Sequence, residues 1–220
     1  MGLRELLLPA RGLLFDNDGV LVDSEPSVVR SWSRWAIDSG FDPDEVMAAV
    51  PGRRAADTVA LFVKPEDVEP STALITRYEL EDVAGTLAVP GVLDLLAQLS
   101  DVPWAVVTSG VRELATARLL AAGVAAPDVV VTAEDVVLGK PHPEPYLTGA
   151  SRLGLPPGEV IVLEDSPSGV RAGLAAGATV LGIGETALSS EAPAVVRDLT
   201  GARWTSGGLL LPAAALLRRP

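Results

Sequence analysis

Five short apolar runs, at 12–15, 104–107, 129–131, 160–163 and 179–181, each stop at Asp, Thr, Glu or Gly. They are too short for helices and rich in Val and Leu, so they are predicted strands. The stretches 112–122, 143–153 and 168–176 show the spacing of amphipathic helices. Continuous apolar strands alternating with such helices imply burial on both faces, as in a parallel sheet covered on each side. The predicted class is α/β, a doubly wound parallel sheet.

Residues 26–89 break that rhythm. They read as helices at 26–39, 43–49, 55–62 and 71–84 with no convincing strand. The stretch is too long for a plain crossover. A small helical domain, 26–89, is therefore expected as an insert after the first strand, with 1–25 and 90–220 forming the core domain. Pro26 and Pro90-Gly91 are the natural hinges.

Composition narrows the chemistry. The 220 residues carry 17 basic and 29 acidic side chains, one His and no Cys, for a net charge of -12. Disulfides, thiolate nucleophiles, iron–sulfur clusters and Cys/His zinc sites are excluded, and a metal must sit on oxygen, which favours Mg²⁺ or Ca²⁺. With an acidic balance and no Lys/Arg-rich run, nucleic acid is not an expected partner. The N-terminal apolar stretch is interrupted by Arg4, Glu5, Pro9 and Arg11, unlike a secretion signal. The tract 209–217 contains Pro212 and is far short of a membrane span, for which about 20 residues are needed. These features lead us to expect a cytoplasmic protein with a small partner and no membrane contact. Only Lys64 and Lys140 are lysines, so each invites inspection.

Ligands of a doubly wound sheet bind beyond the carboxyl ends of its strands. Asp16-Asn17-Asp18-Gly19 follows the first run, Thr108-Ser109-Gly110 the second, and Glu164-Asp165-Ser166 the fourth. Carboxylates converging on one edge repel one another unless a cation neutralises them. Mg²⁺ is the simplest choice, and because it keeps waters and takes phosphate oxygens, it implies a phosphorylated substrate. Asp16-Asn17-Asp18-Gly19 alone would also suit a turn, and it opens like a calcium loop. The twelfth position of such a loop is Ser27, however, and not a bidentate Glu. Glu164-Asp165 alone could serve a helix dipole. Their joint occurrence with Lys140, in the stiff loop Gly139-Lys140-Pro141-His142-Pro143, points to a site. His142 lacks a partner and is read as structural. The run 182–187 matches a loose dinucleotide fingerprint but leads into a poor helix opening, so no nucleotide cofactor is expected.

The segments Leu14-Phe15-Asp16-Asn17-Asp18-Gly19-Val20-Leu21-Val22-Asp23-Ser24-Glu25, Val106-Val107-Thr108-Ser109-Gly110, Lys140-Pro141 and Leu163-Glu164-Asp165-Ser166-Pro167-Ser168-Gly169-Val170 together resemble the four motifs of the haloacid dehalogenase (HAD) superfamily. Their order is similar to that of its helical-cap phosphatase and phosphomutase branch. Residues 104–110 and 139–146 are especially similar to glycerol-phosphate and sugar-phosphate phosphatases.

The resemblance implies roles. Asp16 would be the nucleophile, forming an aspartyl-phosphate, and a Mg²⁺ ligand. Asp18 would be the acid/base, its backbone carbonyl also a metal ligand. Asp165 would complete the metal site, with Glu164 beside it directly or through water. Thr108, the Ser109 and Gly110 amides and Lys140 would hold the transferring phosphoryl group. Asn17 departs from the apolar residue expected between the two aspartates. The segment Gly52-Arg53-Arg54-Ala55-Ala56-Asp57-Thr58 resembles the cap segment lining the entrance of sugar phosphatases, which makes Arg53 and Arg54 candidates for substrate binding; an Arg pair solvated at a helix start fits the spacing equally. The implied activity is Mg²⁺-dependent hydrolysis of small sugar or polyol phosphate monoesters by a monomer. Two alternatives remain: a β-phosphoglucomutase-like phosphomutase, and a silent binding module on the same fold. In the mutase a His twelve residues after the nucleophile is expected; here that position is Val28.

Overall fold

The computed structural model describes residues 5–220. Residues 1–4, part of the stretch read above for a secretion signal, lie outside the described residues. The chain begins with β1 (Leu6–Pro9), β2 (Gly12–Phe15) and β3 (Val22–Asp23). Helices α1 (Glu25–Ser39), α2 (Pro43–Ala49), α3 (Ala55–Val59) and α4 (Val68–Glu81) follow, then β4 (Leu87–Ala88). The remainder alternates as α5 (Val92–Leu96), β5 (Trp104–Val107), α6 (Arg112–Ala121), β6 (Val129–Val131), α7 (Glu144–Arg152), β7 (Val160–Glu164), α8 (Pro167–Ala175) and β8 (Thr179–Ile183). Four short strands close it: β9 (Ala194–Val196), β10 (Arg203–Thr205), β11 (Gly208–Leu211) and β12 (Leu216–Arg218).

Seven strands form the main sheet in the order β12-β9-β8-β7-β2-β5-β6, with only β12 antiparallel to its neighbour. The chain leaves β2 toward β5 and β6, then returns to the other side of β2 at β7. That reversal beside β2 is the topological switch point, where a crevice opens beyond the strand ends. Successive strand residues enter opposite cores. Leu13, Phe15, Val106, Ile161 and Leu163 pack into one layer, and Leu14, Ala105, Val107, Val160 and Val162 into the other. This two-sided burial explains why the strands read as unbroken apolar runs.

The inserted helices have a core of their own, formed by Trp32, Trp35, Val46, Val59, Ile75 and Tyr78 with Phe41 and Phe62 against them. Helix α3 ends at Val59, short of the expected 62, because Phe62 turns inward to lie 5.5 Å from the Phe41 ring and 6.4 Å from Trp35. Helix α4 starts at Val68, before the expected 71, because Pro70 falls in its first turn, where a missing N–H costs nothing. The insert is also not strand-free. Leu87–Ala88 pairs antiparallel with Val22–Asp23, so the chain enters and leaves the cap side by side. Two residues are too few to show a period. Among the described residues no helix is long and apolar enough to cross a membrane, and the 209–217 tract is divided at Pro212 between β11 and β12.

A polar knot braces the sheet edge after β6. Asp135 accepts from the Thr132 amide (2.9 Å) and hydroxyl (2.8 Å), from Arg112 at the start of α6 (2.6 Å) and from Arg152 at the end of α7 (2.8 Å). Burial works to raise its pKa, but the Arg152 and Thr132 hydrogen bonds win and hold it at about 2. A carboxylate depressed in this way stabilises the fold above the ordinary Asp value, and the contribution fades as pH falls toward 2. Asp135→Asn should therefore lower stability by about 1–2 kcal/mol at pH 7. The gap between variant and wild type should close between pH 4 and pH 2, as measured by denaturant unfolding.

Candidate active site

In register, Phe15 of β2 stands level with Leu163 of β7 and Val106 of β5. The residues just beyond therefore share one edge. Asp16 follows β2, Thr108 follows β5, and Glu164 ends β7 with Asp165 after it. Lys140 joins them from the loop ahead of α7. Its ammonium lies 3.0 Å from Asp16 Oδ1, 2.6 Å from Glu164 Oε1 and 3.1 Å from the Val107 carbonyl, which matches three acceptors to its three hydrogens. Lys140 is 3% exposed.

Glu164 is fully buried. Its Oε1 accepts from Lys140 and from the Tyr146 hydroxyl (2.8 Å), and its Oε2 accepts from the Ser166 amide and hydroxyl, each at 2.9 Å. Four donors occupy the four lone-pair sites of this carboxylate, so a metal contact by Glu164, direct or through water, would have to displace one of them. The Tyr146 ring also sits 4.9 Å below the Lys140 ammonium. Gly169 permits this packing, because a Cβ there would fall 1.6 Å from Glu164 Oε1.

Carboxylate oxygens of Asp16, Glu164 and Asp165 lie within 4.8 Å of one another. Burial pushes Asp16 up to about 8, against the pull of Lys140, while Glu164 and Asp18 push it further. Asp165 is likewise raised well above the usual range by burial and by the neighbouring Glu164 and Asp16. Glu164 is lowered instead: burial opposes its ionisation, but Lys140, Ser166 and Tyr146 overcome it. Lys140 is held charged by Asp16 and Glu164 in spite of burial. One ammonium thus faces three clustered carboxyl groups, and oxygen donors with excess negative charge are what a hard divalent cation needs. The acidic cluster fits such an ion.

Asp18 stands opposite. Its Oδ1 accepts from Ser24 Oγ (2.5 Å) and from Arg118 Nη1 (2.9 Å), and its Oδ2 from Asn17 Nδ2 (3.3 Å). Asn17, the departure noted in the sequence, is fully buried and spends its amide on that carboxylate. The turn is closed by Gly19 at φ 75°, where a Cβ would collide with Asp165 Oδ2 at 2.1 Å. Thr108 Oγ1 accepts from the Gly110 amide at 3.0 Å. Ser109 and Ser168 donate to the cap, Ser109 Oγ to the Gly52 carbonyl (3.0 Å) and Ser168 Oγ to that of Pro51 (3.3 Å).

A cavity of about 820 Å³ lies between core and cap, lined by Asp16, Asp18, Thr108, Ser109, Gly110 and Asp165 from below. Arg53, Glu79 and Val28 line it from the cap side. The two arginines diverge. Arg53 is exposed at the cavity with no side-chain partner among the described residues. Arg54 also borders the cavity, but it grips Asp57 through two hydrogen bonds (2.7 and 2.8 Å) and reaches the Val137 carbonyl at 3.0 Å, joining cap to core. His142 has a half-exposed side chain whose Nδ1 accepts from the Glu144 amide, and the 182–187 run passes from β8 into a 3₁₀ turn.

Sequence reasoning missed four side chains of this site: Ser24, Glu79, Arg118 and Tyr146. Arg118 carried a readable signal. It lies on the same face of α6 as Leu114 and Ala115, where a charge is out of place unless partnered.

Comparison with known proteins agrees with this geometry. The model of the haloacid dehalogenase-like hydrolase family matches residues 10–177. The chain is 46% identical over 178 residues to Hexitol phosphatase A of Escherichia coli, covering 79% of this chain and 82% of that protein. It is 36% identical over 200 residues to Glycerol-1-phosphate phosphohydrolase 2 of Saccharomyces cerevisiae, covering 84% and 80%. A crystal structure of beta-Phosphoglucomutase from Clostridium difficile shares the fold with a TM-score of 0.76 at 21% identity, over 86% of this chain and 92% of that one. With motifs, fold and relatives in agreement, the chain belongs to the haloacid dehalogenase-like hydrolase family and is one of its phosphatases, an enzyme that hydrolyses phosphoric monoesters.

Proposed function

We propose that the protein is a Mg²⁺-dependent phosphatase of small polyol or sugar phosphates, working through an aspartyl-phosphate on Asp16. The observation that carries this reading is the convergence of Asp16, Asp18, Thr108, Lys140 and Asp165 on one sheet edge, beneath a cavity of about 820 Å³. Its lining is suited to a hydroxylated chain: Arg53 and Thr76 offer donors and an acceptor on the cap side. The phosphatases of hexitol and glycerol phosphates among its relatives point to the same substrate class. We take 26–89 as the cap domain and 1–25 with 90–220 as the core.

Asp16, its carboxylate oriented by Lys140 and the Asn17 amide, attacks phosphorus. Thr108 and the Ser109 amide hold the phosphoryl oxygens in place, while the Lys140 ammonium, its hydrogens spent on Asp16, Glu164 and the Val107 carbonyl, adds positive charge behind the nucleophile. Asp18 gives a proton to the departing alcohol and later takes one from the water that cleaves the aspartyl-phosphate. Asp16, Asp165 and the Asp18 carbonyl would hold Mg²⁺, whose charge supplies neutralisation of the carboxylates and of the phosphoryl group. Glu164 stands behind them as the anchor of Lys140.

Phosphate release from a panel of sugar, polyol and aryl phosphates, with Mg²⁺ and after chelation, tests the assignment. Silence on every ester, or activity that survives full chelation, would refute it. Replacing Arg53 by Ala should raise KM for polyol phosphates by about tenfold, the scale of one lost charged contact, and leave p-nitrophenyl phosphate within about threefold. The mutase reading needs a proton-handling group where Val28 lines the cavity. Incubation with β-glucose 1-phosphate and a trace of bisphosphate should therefore release phosphate and accumulate little glucose 6-phosphate.

A further inference from the structure

Arg118 is 3% exposed, on a face of α6 that otherwise buries Leu114, Ala115 and Leu119. Its guanidinium is divided between two domains. Nη1 donates to Asp18 Oδ1 at 2.9 Å in the core, and Nη2 to Glu79 Oε1 at 3.0 Å on cap helix α4. Nε has no acceptor among the described residues. Arginine binds a single carboxylate best with two parallel hydrogen bonds. Splitting the fork forfeits that pairing and orphans a buried N–H, and a buried ion pair is weak as a source of stability in any case. The arrangement therefore calls for a reason other than stability. A guanidinium is planar and rigid, so it transmits the place of one carboxylate to the other. Where α4 carries Glu79 bears on where Asp18 Oδ1 rests.

We propose that Arg118 is a positioning residue that holds Asp18 ready for proton transfer only while the cap is seated, with Glu79 as the cap's half of the link. This rests on the reading of Asp18 as the acid/base given above. It also provides a core–cap connection at the site where Val28 can offer no proton.

The test exploits leaving groups. An alkoxide must be protonated as it departs, whereas p-nitrophenolate leaves unaided. In Mg²⁺, Arg118→Met should lower kcat for glycerol 1-phosphate by about 10²-fold, the scale of general acid catalysis, while the first-turnover burst of p-nitrophenolate slows by less than about threefold. Arg118→Lys should recover part of the loss. Glu79→Gln, which keeps the hydrogen bond but not the charge, should raise KM several-fold with a smaller fall in kcat. An equal loss on both esters, or none, overturns the coupling. If Arg118→Met fails to fold, an alkyl-to-aryl rate ratio that stays at the wild-type value in both Arg118→Lys and Glu79→Gln overturns it equally. Absence of wild-type turnover on either ester removes the acid/base reading and the coupling with it; wild-type turnover with an unchanged ratio in the variants removes the coupling alone.

Discussion

Asp16→Asn is expected to abolish phosphate release, by more than about 10³-fold, while leaving the protein at least as stable as the wild type. The amide is nearly isosteric and can still accept from the Asn17 amide and Lys140, but it is a poor nucleophile and a weak metal ligand. The stability half follows from the raised pKa of about 8. A carboxyl group that ionises more readily unfolded than folded costs stability as pH rises past the ordinary Asp value, and the cost is complete above 8. At pH 7 without metal the substitution removes that cost. Thermal unfolding in EDTA should show an equal or higher Tm for the variant, and added Mg²⁺ should raise the wild-type Tm more than the variant's. Phosphate release well above background would refute a nucleophilic Asp16.

Lys140→Met should fail on both counts. The side chain is similar in length, so packing is nearly kept, but Asp16 and Glu164 each lose a buried partner and the Val107 carbonyl loses its donor. Removing one member of a buried ion pair costs about 3–5 kcal/mol, which for a chain of this size lowers Tm by about 10 °C. Turnover should fall by at least about 10²-fold. At pH 9, above the Asp16 value of about 8, that carboxylate loses its counter-charge in Lys140→Met, so Asp16→Asn should stabilise the Lys140→Met background more than it stabilises wild type, read from the unfolding free energies of the four proteins. Equal effects in the two backgrounds would contradict the linkage between the two side chains.

The central sheet was legible because its strands are buried on both faces and read as uninterrupted Val/Leu runs, each ending where chemistry begins: Phe15 before Asp16, Val107 before Thr108, Leu163 before Glu164. The C-terminal strands β9 to β12 were not, since segments of three or four residues show no period and owe their conformation to partners far along the chain, as when β11 pairs with β1. Lys140 was identified as converging on the carboxylates, but its full burial on three acceptors was beyond reach of spacing arguments. Arg118 and Glu79 were harder still. They are 39 residues apart and on different domains, so a charge on an apolar helix face marks each as unusual without saying that they meet.

The most direct measurement is the capture of the phosphoryl group on the protein itself. Wild-type enzyme mixed with glycerol 1-phosphate and Mg²⁺, acid-quenched within the first turnover and reduced with borohydride, should carry homoserine in place of Asp16, as located by peptide mass spectrometry. Phosphate release with Asp16 unmodified, or modification at another residue, would contradict the account.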